Sequence, residues 1–166
     1  SCTDLSHFQN ETVQEVYSSH CFEHLGYQSE LPMALKEVLR VLVPGGSFKC
    51  SVPNLEVLCD IYLKAPRADS HGSRFAIMRM IYGGQVDAYD FHKVGFDLGT
   101  LEAFMRHVGF ASVVQVSAHG FGEFEDTSSL AWHGTPISLN VIAYKALAPD
   151  GVHDPGPGQQ KPDSQR

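Results

Sequence analysis

The chain has 166 residues, enough for one ordinary domain with a buried core, and its 43% hydrophobic and 19% charged content excludes a disordered or fibrous protein. Nineteen acidic against twelve basic residues give a net charge of −7 with the basic ones scattered, which argues against a surface that tracks nucleic-acid phosphates. No apolar run approaches the length of a membrane span and no signal peptide opens the chain, so neither membrane nor nucleic acid is an expected partner.

Residues 1–11 are polar, with a turn at Asp4-Leu5-Ser6. Val13 to Ser19 has the β-propensity of a short strand, carried by Val13, Val16 and Tyr17. A helix is expected from Ser29, its cap, with Pro32 in the first turn and Leu31, Leu35, Val38, Leu39 and Leu42 at helical spacing. Pro44-Gly45-Gly46 is expected to stop it and reverse the chain. Ser47 to Val52 is the next strand, with Phe48, Cys50 and Val52 alternating against Ser47, Lys49 and Ser51, so one of its faces is wetter than a central parallel strand usually allows.

Residues 54–82 read as two helical pieces, one striped by Leu55, Leu58, Cys59 and Tyr62, the other by Phe75, Met78 and Tyr82, around a polar loop at 66–73. Phe75, Met78 and Met80 are expected in a core. Thr100 is the expected cap of a third helix with Leu101, Phe104, Met105 and Val108 inward and Gly109 at its end. Two strands follow, 111–116 and 139–145, joined by a connection (119–137) long enough to suggest a functional segment or a lid, with Trp132 pinning it. The chain divides into a folded domain, 1–147, and a Pro/Gly-rich tail, 148–166, expected to be disordered. Cys2, Cys21, Cys50 and Cys59 form no CxxC pair; three lie in apolar-patterned segments and read as buried free thiols in a reducing, cytoplasmic setting.

The block SHCFEHL, followed by ALKEVLRVLVPGGSF, resembles the middle of a class I S-adenosylmethionine-dependent methyltransferase of the type 11, UbiE-like group. GTLEAFMRHVGFASVVQV is similar to that family's last helix and following strand, and SLNVIAYKA to its closing strand. The resemblance implies an α/β fold, a partial Rossmann-like sheet equivalent to strands 4-5-7-6 with the last strand antiparallel and helices flanking it. It implies methyl transfer from S-adenosylmethionine to a small-molecule or glycan-type acceptor.

By the same resemblance, Asp4 and Leu5 would face the adenine of the cofactor, and Ser18, Ser19 and His20 would hold its methionine part at the carboxyl end of the sheet. An oxygen or nitrogen acceptor needs a base near neutral pKa, for which His20, Glu23, His24 and His92 are the candidates, with His20, Glu23 and His92 assigned as catalytic. Tyr82, Gly84, Gln85, His92 and Phe96 lie where the family varies its acceptor-binding elements. The glycine-rich turn and the ribose-binding acid of the family do not occur in these 166 residues. Activity is therefore expected only within a complete domain, with weak or no cofactor binding by this chain alone. A strand edge left open invites a homodimer.

Two rival readings stand beside this one. The first is an inactive fragment or pseudo-enzyme that acts through association. The second rests on His20-Cys21-Phe22-Glu23-His24, an H-x-x-E-H pattern that on a helix would hold zinc for hydrolysis. A strand leads into that motif and Gly26 follows it, so no metal ligand is assigned from it. The remaining histidines, His7, His71, His107, His119, His133 and His153, read as structural or solvated.

Overall fold

The computed structural model describes residues 2–67, 72–117, 119–122 and 125–148. The tail from 149 on, His71 and His153 lie outside the described residues. Strand β1 (Val13–Ser19) leads through a short 3₁₀ turn (Phe22–His24) to helix α1 (Glu30–Val41) and strand β2 (Leu42–Pro53). Helices α2 (Leu55–Lys64), α3 (Ser73–Tyr82) and α4 (Leu98–Val108) follow, then β3 (Ser112–Gln115). A second 3₁₀ turn (Thr127–Ser129), the small pair β4 (Ala131–Trp132) and β5 (Thr135–Pro136), and β6 (Ser138–Tyr144) complete the chain. The main sheet runs β1-β2-β6-β3, with β1 parallel to β2 and β6 antiparallel to both of its neighbours. This is the expected 4-5-7-6 order with its antiparallel closing strand.

Helix α1 buries Leu31, Ala34, Leu35, Val38 and Val41 on one stripe. Each of the larger side chains contributes roughly 1.5–3 kcal/mol by leaving water. Ser29 makes no side-chain cap; instead the Glu30 carboxylate accepts from the Gly26 N–H at 2.7 Å. On the outer face Glu37 and Arg40 pair at 2.8 Å and grip the polar N-terminal segment. Glu37 accepts from the Leu5 N–H, and Arg40 donates to the carbonyls of Leu5 and Phe8.

The helix ends at Val41, before Pro44-Gly45-Gly46 rather than at it. A residue before proline disfavours helical backbone, so Val43 is already extended and the Pro-Gly-Gly run becomes a bulge inside β2. The pairing slips there, from Val13 opposite Leu42 to Glu15 opposite Ser47. Gly46 is required at this point: a Cβ would lie 2.9 Å from the Val43 carbonyl oxygen and 3.0 Å from that of Gln14.

The core lies between the sheet and the pair α1 and α4, where Phe48, Cys50 and Val52 of β2 meet Leu35, Leu101, Met105 and Val141. The other face of β2 is polar, as its alternation suggested: Ser47 and Lys49 both reach Glu15, and Ser51 sits opposite Asn140. Helix α4 is capped by Asp97, which accepts from the Thr100 N–H at 2.7 Å, so Thr100 belongs to the first turn.

Helices α2 and α3 pack on each other through Leu58 and Ile77 with Ile137 and Trp132, and Trp132 thus pins the long connection. Two sequence expectations fail in this pair. Phe75 is 63% exposed and Tyr82 56%, because the inward stripe of α3 runs through Ile77, with Met80 and Ile81 packed beside it. Cys59 is exposed, on the outer side of α2 from Leu58. Cys50 is buried, and Cys21 is half-buried with its sulfur 4.0 Å from that of Cys2.

Candidate functional site

Strand β1 delivers its carboxyl end into a crowded polar corner. His20 adopts a left-handed backbone (φ 46°), which an L-residue other than glycine reaches at a cost, and this turns the chain out of the sheet. Its N–H still closes the parallel ladder by donating to the Ser51 carbonyl at 2.9 Å. Phe22 then plugs the 3₁₀ turn into the core against Phe48, with ring centroids 5.3 Å apart. This anchoring drags the next residue, Glu23, almost wholly out of water at 1% exposure.

Glu23 is the chemically exceptional residue. Among the described residues neither of its carboxylate oxygens has a hydrogen-bond partner, and His20 Nδ1, its nearest ion-pair neighbour, stands 3.5 Å away. Burial pushes the Glu23 carboxyl up to about 8, so it holds its proton at neutral pH. Burial, with His92 close by, lowers His20 to about 4. His92 is lowered too, by burial first and then by His24. At neutral pH Glu23 therefore carries its proton while His20 and His92 are neutral.

His92 reaches the corner from the segment after α3. The Glu23 carbonyl accepts from the N–H groups of Lys93 (2.7 Å) and Val94 (3.3 Å), and the His92 N–H donates to the Tyr82 carbonyl at 3.1 Å. The result is an edge-to-face contact of the His24 and His92 rings, centroids 4.7 Å apart. Gly83 permits this return. Its φ is +86°, and a Cβ there would run into the Asp90 carbonyl oxygen and lie 3.0 Å from the His92 nitrogen. Gly83→Ala is expected to destabilise by about 1–3 kcal/mol from backbone strain alone and to loosen the 83–94 segment. Hydrogen exchange at the His92 amide, faster than wild type by about tenfold or more, is the measurement that checks it.

The predicted cofactor residues are found in three settings. Ser18 and Ser19 pair with Cys50 and Ser51 at the end of β1. The Ser19 hydroxyl is engaged with Thr127 at 2.6 Å, and His20 Nε2 with the Ser138 hydroxyl at 3.0 Å. Asp4 is exposed and accepts from the Ser6 N–H, while Leu5 is held by Glu37 and packs against the core. Of the predicted acceptor residues, Tyr82, Gly84 and Gln85 lie at the C-terminal end of α3. Gly84 and Gln85 line a shallow cleft there together with Phe75, Met78 and Arg79. Phe96 is a correction: it is fully buried against Phe104 and its carbonyl caps α2, so it belongs to the core.

Sequence reasoning missed the turn that covers this corner. The Tyr17 hydroxyl bonds to Asp126, whose other oxygen accepts from the Ser128 N–H and so shapes the 126–129 turn. Asn140 donates to the Ser128 and Ser117 carbonyls at 2.9 Å each, tying that turn to β6. The expected lid segment thus rests directly on Ser19 and His20. Its only local signal was the Asp-Thr-Ser-Ser run at 126–129, which has turn chemistry but names no target. A separate cleft of about 360 Å³ opens between α2, α3 and the β4–β5 pair, and shares no residue with the Glu23 corner.

Residues 1–50 match the family model described as a methyltransferase domain, a stretch that runs through β1, α1 and most of β2. The sheet order and the antiparallel β6 extend the likeness over the rest of the described chain. The chain has the fold of a class I methyltransferase domain. It is similar to a structure of a complex between the Haloferax volcanii Trm112 methyltransferase activator and a methyltransferase, at 18% identity and TM-score 0.52, over 91% of this chain and 61% of that one. A Thermotoga maritima S-adenosylmethionine-dependent methyltransferase is similar at 17% identity and TM-score 0.50, over 87% and 61%. The CMeT domain of the citrinin polyketide synthase is similar at 11% and 0.51, over 89% and 32%. The chain thus spans less than two thirds of each of these structures. A comparison with curated proteins gives no match.

The resemblance implies S-adenosylmethionine, and the residues in place fit it poorly as they stand. The Ser19 hydroxyl, the His20 N–H and the Asp4 carboxylate are each engaged within the chain. No helix among the described residues is long and apolar enough to cross a membrane.

Proposed function

We propose that this domain takes part in methyl transfer from S-adenosylmethionine to a small-molecule or glycan-type acceptor, within a complete domain whose further residues hold the adenine and ribose. The observation that carries this reading is the position of His20, Glu23 and His92 together at the carboxyl end of β1, the end at which open α/β sheets bind ligands. The cofactor supplies an electrophilic methyl group; what this chain contributes is alignment and a proton acceptor. His92, neutral and half-buried beside the Tyr82–Gln85 rim, suits the acceptor's proton.

Titration calorimetry of the 166-residue chain with S-adenosylmethionine tests the completeness part of the proposal. The expected result is no binding in the micromolar range, and micromolar affinity would overturn it. A second reading, association without catalysis, is favoured by β1 itself. Among the described residues β1 pairs only with β2, so its outer edge offers a ladder to a second copy or another protein. The H-x-x-E-H hydrolase reading has little support, because the motif occupies a three-residue 3₁₀ turn and His20 faces Ser138 rather than a shared helix face.

A further inference from the structure

We propose that Glu23, His24 and His92 form a binding site for one divalent transition-metal ion, with zinc as its first probe. One ligand atom from each of the three residues lies within 4.8 Å of the others. Zinc–nitrogen and zinc–oxygen bonds of about 2.0–2.2 Å place tetrahedral donors roughly 3.3–3.5 Å apart, so the three groups need close by little more than an ångström. Two imidazoles and one carboxylate are the donor set of many open divalent-metal sites, in which the remaining positions take water or a substrate oxygen.

Proximity alone would be weak. The second observation is that both Glu23 oxygens and His24 Nδ1 are buried and, among the described residues, without hydrogen-bond partners. Glu23 is 1% exposed. Leaving such polar groups unmatched in a packed interior is costly, and a bound metal would match them by taking the place of the Glu23 proton. Here the unmatched atoms belong to two of the clustered residues, and His92 brings a third donor from the segment after α3.

The framework around the three is already fixed. The Glu23 carbonyl holds Lys93 and Val94, which places His92 against His24, and Phe22 holds the 3₁₀ turn in the core. His20, with Nδ1 3.5 Å from Glu23, stands close enough to orient the carboxylate. His24 and His92 are only half-buried, so the ion would remain reachable from the Tyr82–Gln85 side. The two proposals share His92, whose free ring nitrogen can ligate the ion or accept a proton but not both at once; metal is read directly, and its absence would leave the methyl-transfer proposal as it stands.

The test is titration of the chelator-treated 166-residue chain with Co²⁺, followed by its visible absorption, and with Zn²⁺ in competition. One equivalent is expected to bind. Glu23→Gln and His92→Ala are each expected to weaken binding by at least about tenfold, the loss that even an outer-shell partner causes. His107→Ala, on the exposed side of α4, is expected to leave it unchanged. Far-UV circular dichroism verifies that each variant folds, and His92→Asn replaces the alanine variant if that one does not. No saturable binding by the wild type would overturn the proposal. So would affinity unchanged in both Glu23→Gln and the His92 variant, or binding lost in Cys2→Ser or Cys21→Ser while it survives in the His92 variant.

Discussion

Glu23→Gln is expected to stabilise the protein at pH 9 and to leave its stability nearly unchanged at pH 4. The Glu23 carboxyl rises from 4.5 to about 8 on folding because burial disfavours its charge. Between those values the folded chain holds a proton that the unfolded chain has released, so the stability tied to this group is complete below about pH 4.5 and is lost as pH rises through about 8. Each pKa unit is worth about 1.4 kcal/mol, which puts an upper bound of roughly 5 kcal/mol on the penalty at pH 9. Glutamine keeps the shape and cannot ionise. A gain on the order of 10 °C in the unfolding midpoint at pH 9 is the corresponding scale for a domain of this size. His20 works in the opposite direction: lowered to about 4, its contribution is complete above about pH 6.5 and lost as pH falls through 4. That slope is common to both proteins and cancels in the comparison. Thermal unfolding in the presence of a chelator measures the difference; an equal effect of the substitution at both pH values would contradict the assignment of Glu23 as the buried, unmatched acid.

Phe22→Ala is expected to cost about 3–5 kcal/mol in chemical denaturation, the range for removing a buried aromatic ring. Phe22 is 1% exposed and its ring lies against that of Phe48, beneath the turn that carries Glu23 and His24. The loss therefore reaches the site as well as the core. Without the plug, the 3₁₀ turn loses its anchor in the core, and the Glu23 carboxyl should fall back towards its ordinary range. A pH profile that flattens together with the loss of stability would link the two; a loss of less than about 1 kcal/mol, below the range for such a ring, would show that the turn is held by other contacts.

Much of the fold was legible because its signals are local. The β-branched and aromatic residues of β1, the helical spacing in α1 and the alternation in β2 each lie within one element. Phase is less local. Spacing alone puts the stripe of α3 on Phe75 and Tyr82, yet Ile77 is inward, because with apolar residues nearly all round a short helix only its neighbours α2 and Trp132 choose the face. The cap of α4 moves from Thr100 to Asp97 for a similar reason, since both residues have capping chemistry and the backbone geometry decides between them.

The site divides along the same line. Sequence alone marked His20, Glu23 and His92 as titratable residues in promising segments, and the strand-loop-helix pattern placed the first two at the end of β1. It could not pair His92 with His24, since that contact depends on backbone bonds from the Glu23 carbonyl to Lys93 and Val94 and on the positive φ of Gly83. Nor could it place the Asp126 turn over Ser19 and His20. The sequence by itself determined the elements and their order, through short-range propensity and periodicity. Only the tertiary structure decided which polar groups are buried together, because desolvation depends on what packs around a side chain and not on its neighbours in the chain.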